Sequence, residues 1–252
     1  MTNKSFQPRS ILYAVIGVVC LIAAWQIIGV SGIAGLTVPT LTAVLAIYRK
    51  APLAALLYRS AIATTGSALY GLVVGTLLGV ATALLAHLLP ILRPGLDRLA
   101  VTLNAVPAIA IGPIIIIMVS REFTPALLAT IPVFFLVYVA VISGLRSSSP
   151  SLAAMMTTFG ARKIQLLRYL DLPAALPSLL SGLKISVTAA MIGTIVGEWF
   201  GAPTGLGVVI LNALGNFQVP LMWATVLLVA TISLTGYGLL TLAERWAERR
   251  FA

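Results

Sequence analysis

The chain has 252 residues, of which 60% are hydrophobic and only 9% are charged. A soluble domain carries roughly 25% charged residues, so this chain cannot cover a water-exposed surface and most of its outside must face lipid. The net charge of +10 is spread between apolar runs, which favours the cytoplasmic loops of a membrane protein over a nucleic-acid-binding face. A single cysteine, Cys20, and a single histidine, His87, exclude an internal disulfide and a Cys/His metal cluster.

The first segment of the chain predicts one membrane span and one interfacial helix. Residues 11–30 form a 20-residue run without a charge, preceded by Lys4 and Arg9. A signal peptide begins in a similar way but has a shorter apolar core, so we interpret the run as an uncut first helix, with cleavage as the alternative. Residues 31–59 are too interrupted by proline and basic residues to span, and they predict a short interfacial helix at 41–48.

The second predicted span, residues 62–89, carries three glycines at a spacing of four. Gly71, Gly75 and Gly79 share one helix face, where a neighbouring backbone can approach closely. That neighbour is a helix of the same subunit or a helix of a second subunit. His87 lies at the end of this span, and we interpret a lone histidine there as structural rather than as part of a proton relay.

Two further spans follow across short connections. A polar loop at 90–98 leads to an uncharged run at 99–120, which two prolines interrupt. Proline inside a spanning helix frees carbonyl groups and kinks the helix, and such carbonyls belong beside a cavity. Asn104 and Pro107 are therefore candidates for lining a transport path. Residues 124–145 form the fourth span.

The C-terminal part predicts two more spans. Residues 185–200 and 219–243 are apolar, and a glycine-rich turn at 201–207 follows the first of these runs. Glu198 lies near the outer end of the fifth span. An ionisable group in a span is costly and is a functional candidate, while a carboxylate at a helix end also pairs with nearby donors, and both interpretations stay open.

Six spans define an orientation. With a cytoplasmic N-terminus, the inside segments hold twelve lysine and arginine residues and the outside segments hold four. Positive residues accumulate on the cytoplasmic side, so we predict that both termini are cytoplasmic.

The longest polar region, residues 146–184, predicts a compact cytoplasmic element. A helix over 151–159 ends at Gly160, which is placed to adopt the left-handed conformation. A second helix over 161–172 is stopped by Pro173, and Pro177 begins the next span. From the residues alone, this element is a partner-binding loop, a basic hairpin that touches anionic lipid, or a helix-turn-helix, the last disfavoured because both ends are tied to spans.

A longer stretch of this region carries a recognisable pattern. From Ala153 to Ser186 it reads AAMMTTFGARKIQLLRYLDLPAALPSLLSGLKIS. This resembles the cytoplasmic signature loop of the membrane subunit of binding-protein-dependent ABC importers, which runs Glu-Ala-Ala, three residues, Gly, then Leu-Pro about a dozen residues on. Gly160 matches the signature glycine, and the Leu-Pro end matches at Pro173, followed by Pro177. The family's glutamate falls at Ala154, so a carboxylate that could pair with the ATPase is missing.

Other stretches extend the resemblance over most of the chain. Residues 103–107, reading Leu-Asn-Ala-Val-Pro, are similar to the family's third span, and Glu198 followed by Gly201, Gly205 and Gly207 is similar to its Glu-Met-x-Gly-Ala…Gly-Leu-Gly stretch. Together these stretches are most like the nitrate, sulfonate and taurine branch.

The resemblance implies a single permease domain over 1–252, with a five-helix type I core at about 60–243, an added N-terminal helix and a coupling loop at 146–184. It assigns ATPase coupling to seven residues of the loop, which are Ala154, Phe159, Gly160, Ala161, Arg162, Pro173 and Pro177. The candidates for the translocation pathway are Asn104, Pro107, Glu198, Gly205 and Gly207.

The resemblance also implies partners. The chain has no Gly-x-x-x-x-Gly-Lys-Ser/Thr phosphate loop, so we expect it to be no enzyme and to bind no cofactor itself. ATP and magnesium would bind to two copies of an ABC ATP-binding subunit. A second permease, expected to be another copy of this chain, would complete the pore, and a periplasmic or lipid-anchored solute-binding protein would deliver the solute. We expect no nucleic-acid partner, no metal and a location in the bacterial inner membrane.

Two other classes of function compete. A secondary transporter places ionisable groups at mid-membrane, and an intramembrane enzyme needs a Ser/His or paired-carboxylate arrangement; the spans have few such groups. For the solute, the branch favours a small anion such as a sulfonate, taurine or nitrate, with a pyrimidine-type vitamin precursor as the alternative.

Overall fold

The computed structural model describes residues 8–251, which form helices joined by short turns and loops, with no strand in that range. The helices are α1 (Pro8–Ser31), α2 (Leu41–Ile47), α3 (Ala51–Leu88), α4 (Arg93–Ala105), α5 (Ala108–Met118), α6 (Thr124–Leu145), α7 (Pro150–Thr158), α8 (Lys163–Leu166), α9 (Leu172–Glu198), α10 (Leu206–Gly215) and α11 (Val219–Phe251). A single 3₁₀ turn lies at Gly35–Thr37, and a π-helical segment at Leu167–Asp171 joins α8 to α9.

Within the described range, four helices are long and apolar enough to cross a membrane: α3, α6, the run Lys163–Glu198, and α11 over Val219–Arg245. The pair α4 and α5 adds a fifth if the two are one broken span. The predicted first span is represented by a shorter apolar helix, Val15–Ser31. The chain is therefore a multi-pass helical membrane protein with four or five clear spans.

The third span is not the continuous kinked helix that the sequence predicted. Its two halves, α4 and α5, are bent by 95° at Val106 and Pro107. Val106 has ψ 122°, because the ring of a following proline clashes with the helical conformation. The predicted polar loop at 90–98 is also partly helical, since α4 already begins at Arg93.

Two other helix boundaries differ from the prediction. The helix of the second span begins at Ala51 and not at residue 62. Pro52 does not interrupt it, because this proline lies in the first turn, where its missing N–H has no helical partner to lose. Pro173 does not stop the helix before it. The π segment inserts an extra residue into the turn there, and the Leu172 N–H reaches the Leu167 carbonyl, so the helix continues through Pro177 to Glu198.

The described residues form two compact units. The first unit comprises residues up to 58 together with 209–227. In it the Trp25 indole donates to the Pro39 carbonyl at 3.0 Å, the Trp223 indole donates to Thr37 at 2.9 Å, and the Tyr48 hydroxyl donates to Ala224 at 2.6 Å. Burial raises the pKa of Tyr48, so its phenol stays protonated as a donor.

The second unit, residues 59–208 and 228–252, is built around α6. The inner face of α6 is fully buried at Leu128, Ala129, Val133 and Val137. On one side of it lies α3, whose three spaced glycines face α6: a Cβ added to Gly75 would be 2.7 Å from the Cβ of Val133. Backbone-to-backbone approach of this kind replaces the hydrophobic driving force that helices lack in lipid.

On its other side α6 packs against α9 in the same way. A Cβ added to Gly193 would lie 2.6 Å from the Leu128 carbonyl oxygen, and one added to Gly197 would lie 2.5 Å from the Pro125 Cα. Near the other ends of the two helices, a Cβ added to Gly144 of α6 would lie 2.8 Å from the Ala175 Cα. The α6–α9 pair is thus joined along its length by small residues, which leave little freedom for one helix to move past the other.

Candidate functional site

The predicted helix–glycine–helix element is present, and its first helix, α7, ends in a regular capping motif. After α7, Gly160 has φ +83°, a conformation that favours glycine. The Gly160 N–H donates to the Thr157 carbonyl at 2.9 Å, and the Ala161 N–H donates to Met156 at 2.9 Å. This is the Schellman arrangement, which satisfies the last carbonyls of a helix and turns the chain sharply.

The helix–glycine–helix element is exposed over its first helix and its turn. No residue of α7 is buried, and Ala154 is exposed. The Phe159 ring beside the glycine is 84% exposed. Past the turn, the Arg162 N–H donates to the Gln165 side chain at 2.7 Å, which begins α8 and leaves Arg162 itself exposed. An exposed aromatic side chain on a rigid turn is suited to a partner's pocket.

A histidine–aspartate pair holds the base of this element. His87 Nε2, at the end of α3, lies 3.0 Å from an Asp171 carboxylate oxygen in the π segment. His87, which the sequence predicts to be structural, is thus paired with a residue of the predicted coupling loop. The pair joins α3 to the segment through which the loop continues into α9.

Glu198 is the centre of a buried polar cluster. The residue is 2% exposed at the end of α9. The Thr64 hydroxyl of α3 donates to its Oε1 at 2.6 Å, and the Gly207 N–H donates to its Oε2 at 2.6 Å. Thr64 Oγ1 in turn accepts the Leu206 N–H at 2.8 Å. Together, Thr64 and Glu198 take up two N–H groups at the start of α10, which would otherwise be unsatisfied.

The two predicted glycines belong to this cluster. A Cβ on Gly205, which has φ +146°, would overlap the Glu198 carboxyl group. A Cβ on Gly207 would lie 2.7 Å from the Ile195 carbonyl oxygen. The arrangement matches the helix-end interpretation, in which a carboxylate pairs with nearby donors, while a role in the pathway stays a prediction.

The other two pathway candidates, Asn104 and Pro107, differ from this cluster in their exposure to solvent. Asn104 and Pro107 are exposed at the break between α4 and α5, whereas Glu198, Gly205 and Gly207 are enclosed. The five residues therefore form two separate groups rather than one site. One is the exposed pair at the break between α4 and α5, and the other is a buried group at the start of α10. This buried group, Glu198, Gly205 and Gly207 together with Thr64, is called the latch.

A cavity of about 590 Å³ opens between α3, α9 and α11 in the second unit. Its lining is apolar apart from the hydroxyl-bearing residues Thr65, Thr231 and Thr235. With no cationic lining residue, this cavity by itself offers little to hold a small anion.

Sequence reasoning missed four hydrogen bonds between side chains of different helices. Lys184 donates to Glu244 at 2.5 Å, and the same carboxylate accepts a hydrogen bond from Ser181. Between α6 and α4, the Tyr138 hydroxyl donates to Asp97 at 2.5 Å. Thr64, the partner of Glu198, was missed as well, because it lies 134 residues away in an apolar run and no local pattern marks it.

Comparison with known proteins places this chain in a family. Residues 75–251 match the model of the binding-protein-dependent transport system inner membrane component. Because the match covers more than half of the chain, the chain belongs to this family, which confirms the resemblance drawn from the loop.

Curated relatives carry related names. An ABC transporter permease protein of Haemophilus influenzae is 35% identical over 67% of this chain and 66% of its own length. A formylaminopyrimidine transport permease protein of Halalkalibacterium halodurans is 31% identical over 67% of this chain and 68% of its own length. A permease protein of Bacillus subtilis named for transport of aliphatic sulfonates is 28% identical over 89% of this chain and 82% of its own length.

One solved structure shares the fold. It shows the MetNI methionine ABC transporter in inward-facing conformations, and a chain in it matches with a TM-score of 0.57 at 19% identity. The match covers 80% of this chain and 98% of that chain. At this identity the likeness concerns the fold alone.

Proposed function

We propose that this chain is the membrane-spanning subunit of an ABC importer, which forms the solute path and is driven by a separate ATPase through the loop at 146–184. The observation that carries the proposal is the exposed coupling element. Its helix α7 stands free, turns at a left-handed glycine and continues into a spanning helix. An element so exposed and so firmly attached can receive a force and transmit it into the membrane.

We place six spans in this subunit, with α1 as the first and the bent pair α4–α5 as one broken span. The apolar run of 11–30 and the excess of basic residues on one side support this arrangement. Both termini and the coupling loop then lie on the cytoplasmic side of a bacterial inner membrane, where an ATPase can reach the loop.

The partners follow from this placement. Two ATP-binding subunits hold ATP and magnesium, a second copy of this chain completes the pore, and a solute-binding protein delivers the solute outside. The coupling helix α7 carries no charged residue, since Ala154 stands where the family has a glutamate. Docking then depends on the exposed apolar side chains of the loop, Leu152, Met155 and Phe159 among them, and on the cations after Gly160.

For the solute, we favour a small anion such as an alkanesulfonate, taurine or nitrate. Similarity to a permease named for aliphatic sulfonates, over 89% of this chain, supports this class. The second candidate is a pyrimidine-type vitamin precursor, since a relative at 31% identity is named for formylaminopyrimidine. Calorimetric titration of the solute-binding partner of this chain with taurine, an alkanesulfonate, nitrate and formylaminopyrimidine would separate the two.

The coupling role is tested by changing the turn glycine. Gly160→Val places a β-branched side chain at φ +83°, which should distort the turn, because only glycine adopts this conformation freely. Gly95→Val is the matched control, since Gly95 also has open space around it but no positive φ. Reconstituted with the ATPase, the Gly160 variant should lose most solute uptake while the control keeps it.

Two outcomes would count against the proposal. If no ATP-binding subunit copurifies with the wild-type chain, the importer assignment fails. If the Gly160 variant accumulates solute at the wild-type rate, the loop is not the coupling element.

A further inference from the structure

One residue of the first unit adopts a conformation that its type disfavours. Phe217, between α10 and α11, has φ +55° and is the single non-glycine residue with positive φ among the described residues. Its N–H donates to the Leu214 carbonyl at 3.2 Å, and the Gln218 N–H donates to Ala213 at 2.8 Å. This is the same capping motif that ends α7, where the equivalent position is Gly160.

The comparison between the two turns shows that the phenylalanine is not needed for the turn. Glycine and asparagine adopt the left-handed conformation with the least strain, and large side chains rarely do. The Phe217 ring gains nothing in compensation within its unit, because it is 89% exposed. Leu214, one turn earlier, is exposed as well. Backbone strain combined with an exposed aromatic ring is typical of a residue held ready for a contact.

The position of the turn argues against lipid as that contact. Trp223 lies one turn inside α11, and its indole donates to a backbone carbonyl of the loop at Thr37. Tryptophan with such a polar anchor marks the headgroup level of a membrane protein. Phe217 precedes the first residue of α11, on the N-terminal side of Trp223, so it lies outside the candidate span Val219–Arg245.

The charges of the unit also restrict the partner. The sequence of this unit, residues 1–58 and 209–227, contains no Asp or Glu, and Arg49 and Lys50 are exposed on it. Two copies of a surface that carries only cations would repel each other, so a second copy of this chain is a poor partner. A protein with an apolar depression and acidic residues at its rim is complementary to it.

We infer that Phe217 is an anchor by which the outer face of this chain docks an extracytoplasmic protein, with its ring in an apolar pocket and acidic residues of the partner facing Arg49 and Lys50. This inference rests on the proposed function, in which that partner is the solute-binding protein. The strain at Phe217 keeps the ring presented on a rigid turn, so little conformational freedom is lost on docking.

Relieving the strain provides a sharp test. Phe217→Asn and Phe217→Gly suit the left-handed turn better, so both variants should be as heat-stable as the wild type or more so. In proteoliposomes containing the permease and its ATPase, the concentration of solute-binding protein that gives half-maximal stimulation of ATP hydrolysis should rise about tenfold, as expected for loss of one interface anchor. Leu234→Ala, which removes another exposed apolar side chain from the middle of α11, should leave that concentration unchanged.

Superimposable stimulation curves for wild type and Phe217→Asn would overturn the inference. This result differs from a failure of the proposed function, in which the wild-type permease would bind no ATPase and show no stimulated hydrolysis.

A direct contact measurement tests the docking without the ATPase. Cys20 is the only cysteine, so Phe217→Cys in a Cys20→Ser background takes one bimane label. In nanodiscs, adding the solute-binding protein should shift the bimane emission. If brominated lipid quenches the label and the protein does not change it, the ring lies in the membrane and the inference is wrong.

Discussion

The buried latch at the start of α10 makes a quantitative prediction for Thr64→Val. Valine has nearly the shape of threonine, so packing is preserved while the hydroxyl is lost. That hydroxyl makes two hydrogen bonds, one to Glu198 at 2.6 Å and one from the Leu206 N–H at 2.8 Å. Without it, a carboxyl oxygen and a backbone N–H are left unsatisfied in a site where Glu198 is 2% exposed.

The magnitude follows from these two groups. An unsatisfied buried polar group costs about 1–3 kcal/mol, so the two together should cost about 3 kcal/mol. For a chain of this length, 1 kcal/mol corresponds to roughly 2–4 °C in melting temperature, which gives a decrease of about 6–12 °C. Thr64→Ser is the control, because it keeps the hydroxyl and removes one methyl group, for a cost of about 1 kcal/mol.

Intrinsic tryptophan fluorescence of the detergent-solubilised protein can follow the unfolding, since the chain has four tryptophans. The valine variant should melt well below the serine variant. If the two melt within about 2 °C of each other, the hydrogen bonds of Thr64 contribute little and the latch is not a stabilising element.

Two further predictions concern helix packing and the buried ion pair. Gly75→Ala should destabilise the protein by about 1–3 kcal/mol, because its Cβ would lie 2.7 Å from the Val133 side chain. Gly66→Ala is the control on the same helix and should be neutral or stabilising, because Gly66 has open space around it. Equal melting temperatures for the two variants would contradict the close packing at Gly75. Lys184→Met should cost roughly 3 kcal/mol because it leaves Glu244 without its cation in a largely buried position. The double variant Lys184→Met with Glu244→Met should be more stable than this single variant in the same melting assay, and a double variant that is less stable would refute the argument.

The sequence allowed the membrane class, the helical fold and the position of most spans to be predicted. Hydropathy identifies a span because lipid cannot hydrogen-bond to the backbone, so a long apolar run has few alternatives to a helix. The end of α7 at Gly160 was predictable for a local reason, since glycine tolerates the left-handed conformation found there.

The bend and the π segment were not predictable to the same degree. Proline signals that a helix is disturbed, but it does not specify the response. At Pro107 the helix bends by 95°. At Pro173 the extra residue of the preceding π segment accommodates the proline, and the helix continues. Which response occurs depends on tertiary packing: α9 is held along α6 by small residues, and Gly144 meets Ala175 just after Pro173.

The candidate site was predictable where its residues are adjacent in sequence. The proposed coupling loop is a contiguous pattern, so its helix, glycine turn and second helix could be predicted from neighbouring residues. Glu198 could be named too, as a rare carboxyl group near a span, but its partner Thr64 is one of several threonines in an apolar run. Pairs between distant helices, such as Lys184 with Glu244, need the three-dimensional arrangement before they can be seen.

The arrangement of α9 relates the two parts of the candidate site to each other. The helical run Lys163–Glu198 has 36 residues, about 54 Å at 1.5 Å per residue. It begins beside Gly160 of the proposed coupling loop and ends at Glu198. Along most of this length it is packed backbone-to-backbone against α6, so the two helices should respond to a force as one body. The exception is the π segment, where the regular hydrogen bonding is interrupted and Asp171 is paired with His87 of α3. A displacement of the loop would therefore either deform the π segment or be passed along α9 to Glu198. The His87–Asp171 pair holds the π segment to α3, so it favours transmission along α9.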